Sequence, residues 1–247
     1  MTFLDKLKNK WEENKFVCIG LDQSSYDANQ KIIDATFDLV CAYKPNSAFY
    51  ESAGVEGLEN LKKTVEYINQ KDPSIPVILD AKRGDIGNTN EEYAKAAFDD
   101  LNADAITVHP YLGKESLQPF LNRTDKGIFV LIRTSNPGAG EFQDLEIAEK
   151  PLYQIVAEHV KNWGENVGFV VGATYPEELK KVREIVGNMP ILIPGIGAQG
   201  GDISSLKNGL SSTGNGIIVS SSRGIIFADN PREATLKLHH EIQEALK

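Results

Sequence analysis

The sequence contains few residues of the types that form disulfides and zinc sites. Among 247 residues there are two cysteines and four histidines. Cys18 and Cys41 each lie in an apolar run, which favours buried, reduced thiols over a disulfide framework. The cysteines and histidines do not show the close spacing of zinc ligands, so the pattern argues against a zinc site. We therefore expect a protein of a reducing compartment, the cytoplasm.

Long apolar runs and an excess of positive charge are also missing. The sequence has no stretch of about 18 apolar residues, so we expect no membrane-spanning segment. Residues 1–7 are amphipathic and charged, and they lack the apolar core of a signal peptide. The formal net charge of −9 argues against nucleic acid or an anionic membrane surface as a partner. A small anionic ligand would need a local cluster of positive charge.

Short apolar runs recur along the chain and alternate with segments of helical periodicity. The eight runs are Phe16–Leu21, Leu39–Tyr43, Pro76–Leu79, Ala105–Val108, Ile128–Ile132, Val167–Val171, Ile191–Ile193 and Gly216–Val219. Each run is nearly continuous, which is typical of a strand that is covered on both faces. Helical periodicity occurs at residues 3–13, 64–68, 91–101, 151–163, 177–186 and 231–246. Pro151, Pro176 and Pro231 suit the first turns of helices.

The alternation predicts an α/β fold, a single-domain (β/α)₈ TIM barrel that comprises residues 1–247 and begins with a short N-terminal helix. Residues 136–150 are longer and more irregular than a short connection between a strand and a helix. We interpret them as an insertion with a functional or capping role.

The third apolar run leads into the most informative stretch of the chain, residues 79–89. In a barrel of this kind the chemistry lies at the carboxyl ends of the strands. Asp80 and Lys82 are two residues apart, so on a strand their side chains point to the same side. Gly84 then breaks the strand, and Asp85 and Thr89 share a face if a helix starts there. We therefore expect several charged groups to converge at this end of the barrel.

Other charged residues close neighbouring runs. Asp22 follows the first strand and Lys44 the second, so both belong to the same rim. A magnesium site at Asp22 and Asp80 is conceivable, but Lys44 and Lys82 compete with it because two ammonium groups repel a divalent cation. His109, after the fourth strand, could be a general base, although a structural hydrogen bond is the favoured interpretation.

A phosphate site is indicated after the last two strands. The loop at residues 194–202 is rich in glycine, which lets backbone N–H groups approach an anion closely. Arg223 follows the eighth strand, and an arginine can hold a phosphate with two hydrogen bonds. The loops after the seventh and eighth strands form the usual phosphate site of these barrels. Gln199 could bind the same phosphate.

The pattern Asp80-x-Lys82-x-x-Asp85-Ile86-x-x-Thr89 resembles the signature of orotidine 5′-phosphate decarboxylases, and residues 80–87 resemble their longer bacterial subgroup. The resemblance covers essentially the whole barrel. It includes Asp22, Lys44, Ser135-Asn136-Pro137-Gly138, Pro194-Gly195-x-Gly197-Ala198-Gln199-Gly200-Gly201 and Arg223. Ser222 departs from the pattern, since many members have glycine before the arginine.

The resemblance implies that the chain removes CO₂ from orotidine 5′-phosphate to give uridine 5′-phosphate, in pyrimidine biosynthesis and without metal or organic cofactor. It also implies a homodimer with shared active sites. The implied catalytic residues are Lys44, Asp80, Lys82 and Asp85, the last from the partner subunit, with Lys82 as the proton donor. The implied substrate-binding residues are Asp22, Ile86, Thr89, Ser135, Pro194, Gln199, Ser222 and Arg223.

Two other functions are compatible with a barrel of this kind. Sugar-phosphate decarboxylases of the same superfamily share the Asp-x-Lys-x-x-Asp core but use magnesium, with an acidic metal ligand after the second strand. This chain has Lys44 at that position, which argues against them. A non-catalytic barrel that binds a phosphate ligand is the third possibility, but it would have no need for Lys82 between two carboxylates.

Overall fold

Eight parallel strands form the centre of the computed structural model, which describes residues 1–196 and 202–247. The strands are β1 (Val17–Leu21), β2 (Ala42–Pro45), β3 (Ile78–Arg83), β4 (Ala105–Val108), β5 (Gly127–Arg133), β6 (Val167–Val171), β7 (Ile191–Pro194) and β8 (Ile217–Ser221). Their order in the sheet is β2-β1-β8-β7-β6-β5-β4-β3. Parallel bridges from Tyr43 to Val77 and from Asn46 to Asp80 join β2 to β3. These bridges close the barrel, so the predicted fold is confirmed.

Each of the eight apolar runs overlaps one of these strands, because strands buried on both faces need side chains that are apolar at nearly every position. β1 and β6 are buried along their whole length. The second run was placed too early, since β2 begins at Ala42 and not at Leu39. Val40 and Cys41 are nevertheless buried, which explains the apolar signal before the strand begins.

Helices lie between the strands. They are α1 (Phe3–Glu12), α2 (Tyr26–Thr36), α3 (Ser47–Glu51), α4 (Gly54–Lys71), α5 (Gly87–Lys95), α6 (Gly113–Ser116), α7 (Gln118–Leu121), α8 (Gly140–Gln143), α9 (Leu152–Val160), α10 (Pro176–Val186), α11 (Arg223–Ile226) and α12 (Pro231–Ala245). A π-helical turn, Ala96–Asp100, follows α5, and 3₁₀ helices span Pro137–Ala139 and Ile203–Gly209. Pro176 and Pro231 begin their helices, whereas Pro151 lies one residue before α9. No helix in the described part of the chain is long and apolar enough to cross a membrane.

Helix α1 covers the amino-terminal end of the barrel. A capping box between Thr2 and Asp5 starts the helix. Its buried face carries Phe3, Leu7 and Trp11, and the Trp11 indole N–H donates to the carbonyl of Ile217 at 2.8 Å. The apolar contacts of this face exclude water from the end of the barrel that is opposite to the predicted active site.

Residues 137–151 fold back onto the end of β5. After the 3₁₀ turn and α8, Glu146–Ile147 and Lys150–Pro151 form a two-stranded antiparallel hairpin. The Gln143 side-chain oxygen accepts from the Thr134 N–H at 2.9 Å and from the Arg133 guanidinium at 3.2 Å. These bonds fix the backbone immediately before Ser135.

Candidate active site

A cavity of about 420 Å³ opens at the carboxyl ends of the strands. Eight of the predicted catalytic and substrate-binding residues line it: Asp22, Lys44, Asp80, Lys82, Ser135, Pro194, Ser222 and Arg223. They come from six different strands or from the loops that follow them. The barrel therefore brings together groups that are up to about 200 positions apart in the sequence, as expected from the fold.

A three-membered ionic array lies at the centre of this cavity. The ammonium of Lys44 is 2.9 Å from Asp80 Oδ2, and the ammonium of Lys82 is 2.6 Å from Asp80 Oδ1. The side chains of Lys44 and Asp80 are 8% and 10% exposed, whereas that of Lys82 is 50% exposed. Lys82 is thus the member of the array that is available to a molecule in the cavity.

Burial and charge oppose each other in the array. Burial by itself lowers the pKa of Lys44, but the nearby carboxylates of Asp80 and Asp22 outweigh it, and the pKa of Lys44 is raised above its ordinary value. Burial likewise raises the pKa of Asp80, but the charges of Lys44 and Lys82 outweigh it, and the pKa of Asp80 is lowered. Asp80 is therefore a carboxylate and Lys44 an ammonium at neutral pH.

The end of β3 is not a regular strand. Lys82 has a φ of +47°, in the left-handed region, and the pairing with β4 shifts register between Leu79 and Arg83. The Lys82 N–H donates to the Thr107 hydroxyl oxygen at 3.0 Å, and that hydroxyl donates to Asp80 Oδ1 at 2.9 Å. The side chains of Asp80 and Lys82 meet on one side of the strand, as their two-residue spacing predicts. An irregularity of the β-bulge type also contributes to this placement.

Asp22 is positioned by a buried polar network. The Tyr50 hydroxyl donates to the carbonyl of Leu21 at 3.1 Å, and Asn29 Nδ2 donates to Tyr50 and to the carbonyl of Gln23 at 2.9 and 3.3 Å. Both sides of Asp22 are thereby fixed. Asp22 Oδ1 is buried and has no hydrogen-bond partner among the described residues. A ligand that donates a hydrogen bond there would satisfy it.

Ser222 and Arg223 follow β8. Ser222 has a φ of −127°, which any residue adopts, and its hydroxyl donates to the carbonyl of Gly20 at 3.0 Å. Gly20 leaves room for the serine side chain, since a Cβ at position 20 would lie 2.9 Å from the Ser222 Cβ. Arg223 is exposed at the start of α11 and forms no ion pair with any residue of the described ranges.

The remaining candidates lie elsewhere. Asp85 precedes α5 by two residues, and its Oδ1 accepts from the Ile86 N–H at 2.7 Å. Ile86 is 64% exposed, and Thr89 is exposed in the first turn of α5. Asp85, Ile86 and Thr89 do not line the cavity of their own chain. Gln199 lies outside the described residues.

His109 has a structural contact. Its backbone N–H donates to the carbonyl of Arg83 at 2.9 Å. A Cβ at Gly84 would lie 2.5 Å from His109 Nε2, so the ring packs directly against the glycine backbone. This packing supports the structural interpretation and explains why the chain has no side chain at position 84.

Thr107, Asn29 and Tyr50 contribute to the site but are not predicted from the sequence. Thr107 lies inside the apolar run Ala105–Val108, where a threonine indicates only a strand residue. Asn29 and Tyr50 carry no local signal, since their partners are backbone carbonyls or side chains distant in sequence. Across residues 1–196 and 202–247, no group of three or more His, Cys, Asp or Glu side chains could hold a metal ion.

The arrangement can stabilise negative charge that develops in the cavity. The exposed Lys82 ammonium can interact with an anionic centre and can also donate a proton to it. The floor of the cavity includes the apolar side chains of Leu131, Val170 and Leu192. An apolar floor lowers the local dielectric constant and strengthens the interaction. Arg223 provides a third cationic group, at the edge of the cavity.

Comparison with known proteins identifies the relatives of the chain. Residues 15–238 match the model of the orotidine 5′-phosphate decarboxylase / HUMPS family. The orotidine 5′-phosphate decarboxylase of Cupriavidus metallidurans is 47% identical, over 96% of this chain and 93% of its own. The structure of Leishmania donovani OMP decarboxylase has a TM-score of 0.93 at 39% identity, over 100% of this chain and 99% of its own. That of the Methanocaldococcus jannaschii orotidine 5′-monophosphate decarboxylase, complexed with inhibitor BMP, has a TM-score of 0.77 at 29% identity, over 92% of this chain and 98% of its own.

Proposed function

Because this chain belongs to the orotidine 5′-phosphate decarboxylase / HUMPS family, we propose that it is a carboxy-lyase that converts orotidine 5′-phosphate to uridine 5′-phosphate and CO₂ in pyrimidine biosynthesis. The observation that carries this proposal is the array of Lys44, Asp80 and Lys82, with the Lys82 ammonium 2.6 Å from Asp80 and half exposed to the cavity. Its position is the carboxyl end of the barrel, where the chemistry of such folds occurs.

The array supplies what the reaction needs. Cleavage of the bond between C6 and the carboxyl carbon leaves the electron pair on C6, where the pyrimidine ring delocalises it poorly. The Lys82 ammonium stabilises this charge and transfers a proton to C6, so one proton is consumed and the products are uridine 5′-phosphate and CO₂. Water then reprotonates the amine. Because the C6 charge exists only late in the reaction, Lys82 favours the transition state over the ground state.

Asp80 contributes in two ways. Its carboxylate holds Lys82 in place, and as an anion it lies near the position proposed for the substrate carboxylate. Two like charges in contact are unfavourable, and the departure of CO₂ relieves that repulsion. Lys44 keeps Asp80 ionised from the other side.

The remaining cavity residues bind the substrate. Asp22 and Lys44 hold the ribose hydroxyls, which is supported by the unpartnered Oδ1 of Asp22. Ser135 and Pro194 line the position of the pyrimidine. Arg223, with Gln199 and the backbone at Ser222, holds the phosphate. Binding far from C6 orients the base and thereby assists the chemical step.

The active site is completed by a second subunit. Asp85, Ile86 and Thr89 do not line the cavity of their own chain. Ile86, in the segment after β3, is 64% exposed, and Tyr111, in the segment after β4, is 90% exposed. In a two-fold dimer the segment after β3 reaches the neighbouring cavity, where the partner subunit's Asp85 faces Lys82. An isologous interface then gives two equivalent composite sites.

The dimer is tested by mixing two inactive variants, Lys82→Ala and Asp85→Ala. In a mixed dimer, one site carries both changes and the other carries neither. With random exchange of subunits, activity rises from near zero to roughly a quarter of that of wild type after co-refolding. Each variant refolded alone stays inactive. If differentially tagged mixed dimers are recovered without activity, Asp85 acts within its own subunit.

The reaction proceeds without metal or organic cofactor and in the cytoplasm. Two lysines, Lys44 and Lys82, occupy the part of the cavity where a divalent cation would have to bind Asp80. Cys18 and Cys41 are free and buried, as suits a reducing compartment. Burial raises the pKa of the Cys18 thiol to about 12, so it remains a neutral thiol.

The proposed function is tested by following the absorbance of orotidine 5′-phosphate, which is lost on decarboxylation. We expect turnover by the purified protein, unchanged after exhaustive chelation. An activity that is lost with chelator and restored by magnesium would instead support a sugar-phosphate decarboxylase. Binding of the substrate without any loss of absorbance would support a non-catalytic phosphate-binding barrel.

A further inference from the structure

We propose that Thr107 is a positioning residue that holds both the carboxylate of Asp80 and the backbone of Lys82, a role that rests on the decarboxylase function proposed above. Thr107 lies in β4, is 1% exposed and belongs to the lining of the cavity. Its hydroxyl lies 3.0 Å from the Lys82 backbone nitrogen and 2.9 Å from Asp80 Oδ1. One side chain thus contacts two of the groups that carry the chemistry.

The direction of both hydrogen bonds is fixed. The Lys82 backbone N–H can only donate, so the Thr107 oxygen accepts from it. The single hydroxyl proton of Thr107 is then available to Asp80, which accepts because it is ionised. The three groups form one chain of bonds from the Lys82 N–H through the hydroxyl to the carboxylate.

The first bond stabilises an unusual backbone. Lys82 has a φ of +47°, which residues with a Cβ rarely adopt. The pairing of β3 with β4 is interrupted between Leu79 and Arg83, and in this gap the Lys82 N–H bonds to the Thr107 side chain. The hydroxyl thereby holds the turn that directs the Lys82 ammonium toward Asp80.

The second bond is important when the lysine reacts. Asp80 Oδ2 is bonded to Lys44, while Oδ1 is bonded to both Lys82 and Thr107. When Lys82 donates its proton it becomes a neutral amine, and its charge-assisted bond to Oδ1 weakens. Thr107 then keeps Oδ1 in place through the step. The hydroxyl therefore contributes to turnover more than to substrate binding.

The test compares Thr107→Val with Thr107→Ser. Valine has the shape of threonine but makes neither bond, so we expect kcat to fall about 10- to 100-fold. KM for orotidine 5′-phosphate and the inhibition constant of uridine 5′-phosphate should change less than about threefold, because the groups proposed to bind ribose and phosphate are untouched. Serine keeps the hydroxyl and should restore kcat to within about threefold of wild type.

The matched control is Thr235→Val. Thr235 is also fully buried, and its hydroxyl donates to the carbonyl of Pro231 at 2.7 Å within α12, away from the cavity. The Thr235→Val substitution removes a buried hydroxyl as Thr107→Val does, but it should leave kcat unchanged. Thermal unfolding of all variants shows that the proteins compared are folded.

The outcomes separate this inference from the proposed function. A wild-type protein that does not decarboxylate the substrate overturns both. If the wild type is active and folded Thr107→Val has a kcat within about threefold of it, the positioning role alone is overturned. Equal losses of turnover and of product affinity also overturn it. If Thr107→Val does not fold, Thr107→Ser and Thr107→Ala are compared instead. The positioning role requires the kcat of Thr107→Ser to be about tenfold higher, and equal kcat values refute it.

Discussion

Two aspartates, one at each end of the barrel, hold lysine side chains in different ways. At the amino-terminal end, Asp104 accepts from the Lys6 ammonium at 2.7 Å and from the Val77 N–H at 2.9 Å. At the carboxyl-terminal end, Asp80 accepts from two ammonium groups, those of Lys44 and Lys82. The first aspartate has one cation and one backbone donor, and the second has two cations.

Exposure separates the two sites further. The side chains of Lys6, in α1, and of Asp104 are 13% and 12% exposed, so both members of that pair are covered. In the array of the active site, Lys44 is covered but Lys82 is 50% exposed. The covered pair of one lysine and one aspartate joins elements of the fold. Asp80, by contrast, holds a second, accessible lysine whose positive charge can interact with a ligand.

The largest difference should appear when each lysine is removed. We expect Lys82→Ala to lower kcat by more than about 10⁴-fold, since general acid catalysis alone contributes 10²- to 10⁴-fold and charge stabilisation is lost as well. Its melting temperature should stay near that of wild type because the side chain is half exposed. Lys6→Ala is the matched control. It should leave kcat near that of wild type and lower the melting temperature, because it breaks the covered pair with Asp104. A folded Lys82→Ala protein with a rate within tenfold of wild type would contradict the assignment.

Arg223 extends the comparison to a cation without a protein partner among the described residues. Arg223→Ala should raise KM about 10- to 150-fold, equivalent to about 1.5–3 kcal/mol for a charged hydrogen bond. Orotidine, which lacks the phosphate, should react equally poorly with wild type and variant. Arg232→Ala is the control, since Arg232 is paired with Asp38 on the surface and should leave KM unchanged. Arg223 is not a phosphate ligand if the variant slows orotidine as much as the nucleotide.

Asp104 should affect stability and not turnover. Asp104→Ala leaves Lys6 and the buried Val77 N–H without their partner, so we expect a loss of roughly 2–4 kcal/mol in the free energy of unfolding. Asp99→Ala removes an exposed pair with Arg123 and should cost less than about 1 kcal/mol. Urea unfolding measures both, and kcat should be unchanged in each. Equal losses in the two variants would show that burial does not distinguish the pairs.

The smallest effect concerns pH. The pKa of Asp80 is lowered from 3.8 in the folded protein, so its stabilisation is fully present above the unfolded value and is lost as the pH falls below it. The pKa of Lys44 is raised from 10.5, so its stabilisation is lost only as the pH rises beyond that value. The stability gap between wild type and Asp80→Asn should therefore stay flat from about pH 5 to 9 and narrow below about pH 4. A change of this gap near pH 7 would contradict the ionisation states assigned here.

Much of the fold was predictable because strands buried on both faces require continuous apolar runs. β6, for example, was predicted with its observed bounds, Val167–Val171. Helix α2 was not identified, since its polar exposed positions obscure the pattern of Asn29, Ile32 and Ile33 on its buried face. The segment around Gln143 was predicted only as an irregular insertion with a functional or capping role, because its bonds to Arg133 and Thr134 depend on how it folds back.

The sequence by itself determined the fold class, the family resemblance and the set of charged residues at one rim, because strand ends in a closed barrel must converge. Only the tertiary structure decided how these residues are held. The contact of Thr107 with Asp80 joins residues 27 positions apart, and it depends on the register between β3 and β4. The backbone N–H of Lys82, whose φ lies in the left-handed region, donates to the same Thr107 hydroxyl. A local sequence pattern specifies which side chains are present, but a hydrogen bond between strands exists only once the barrel has closed.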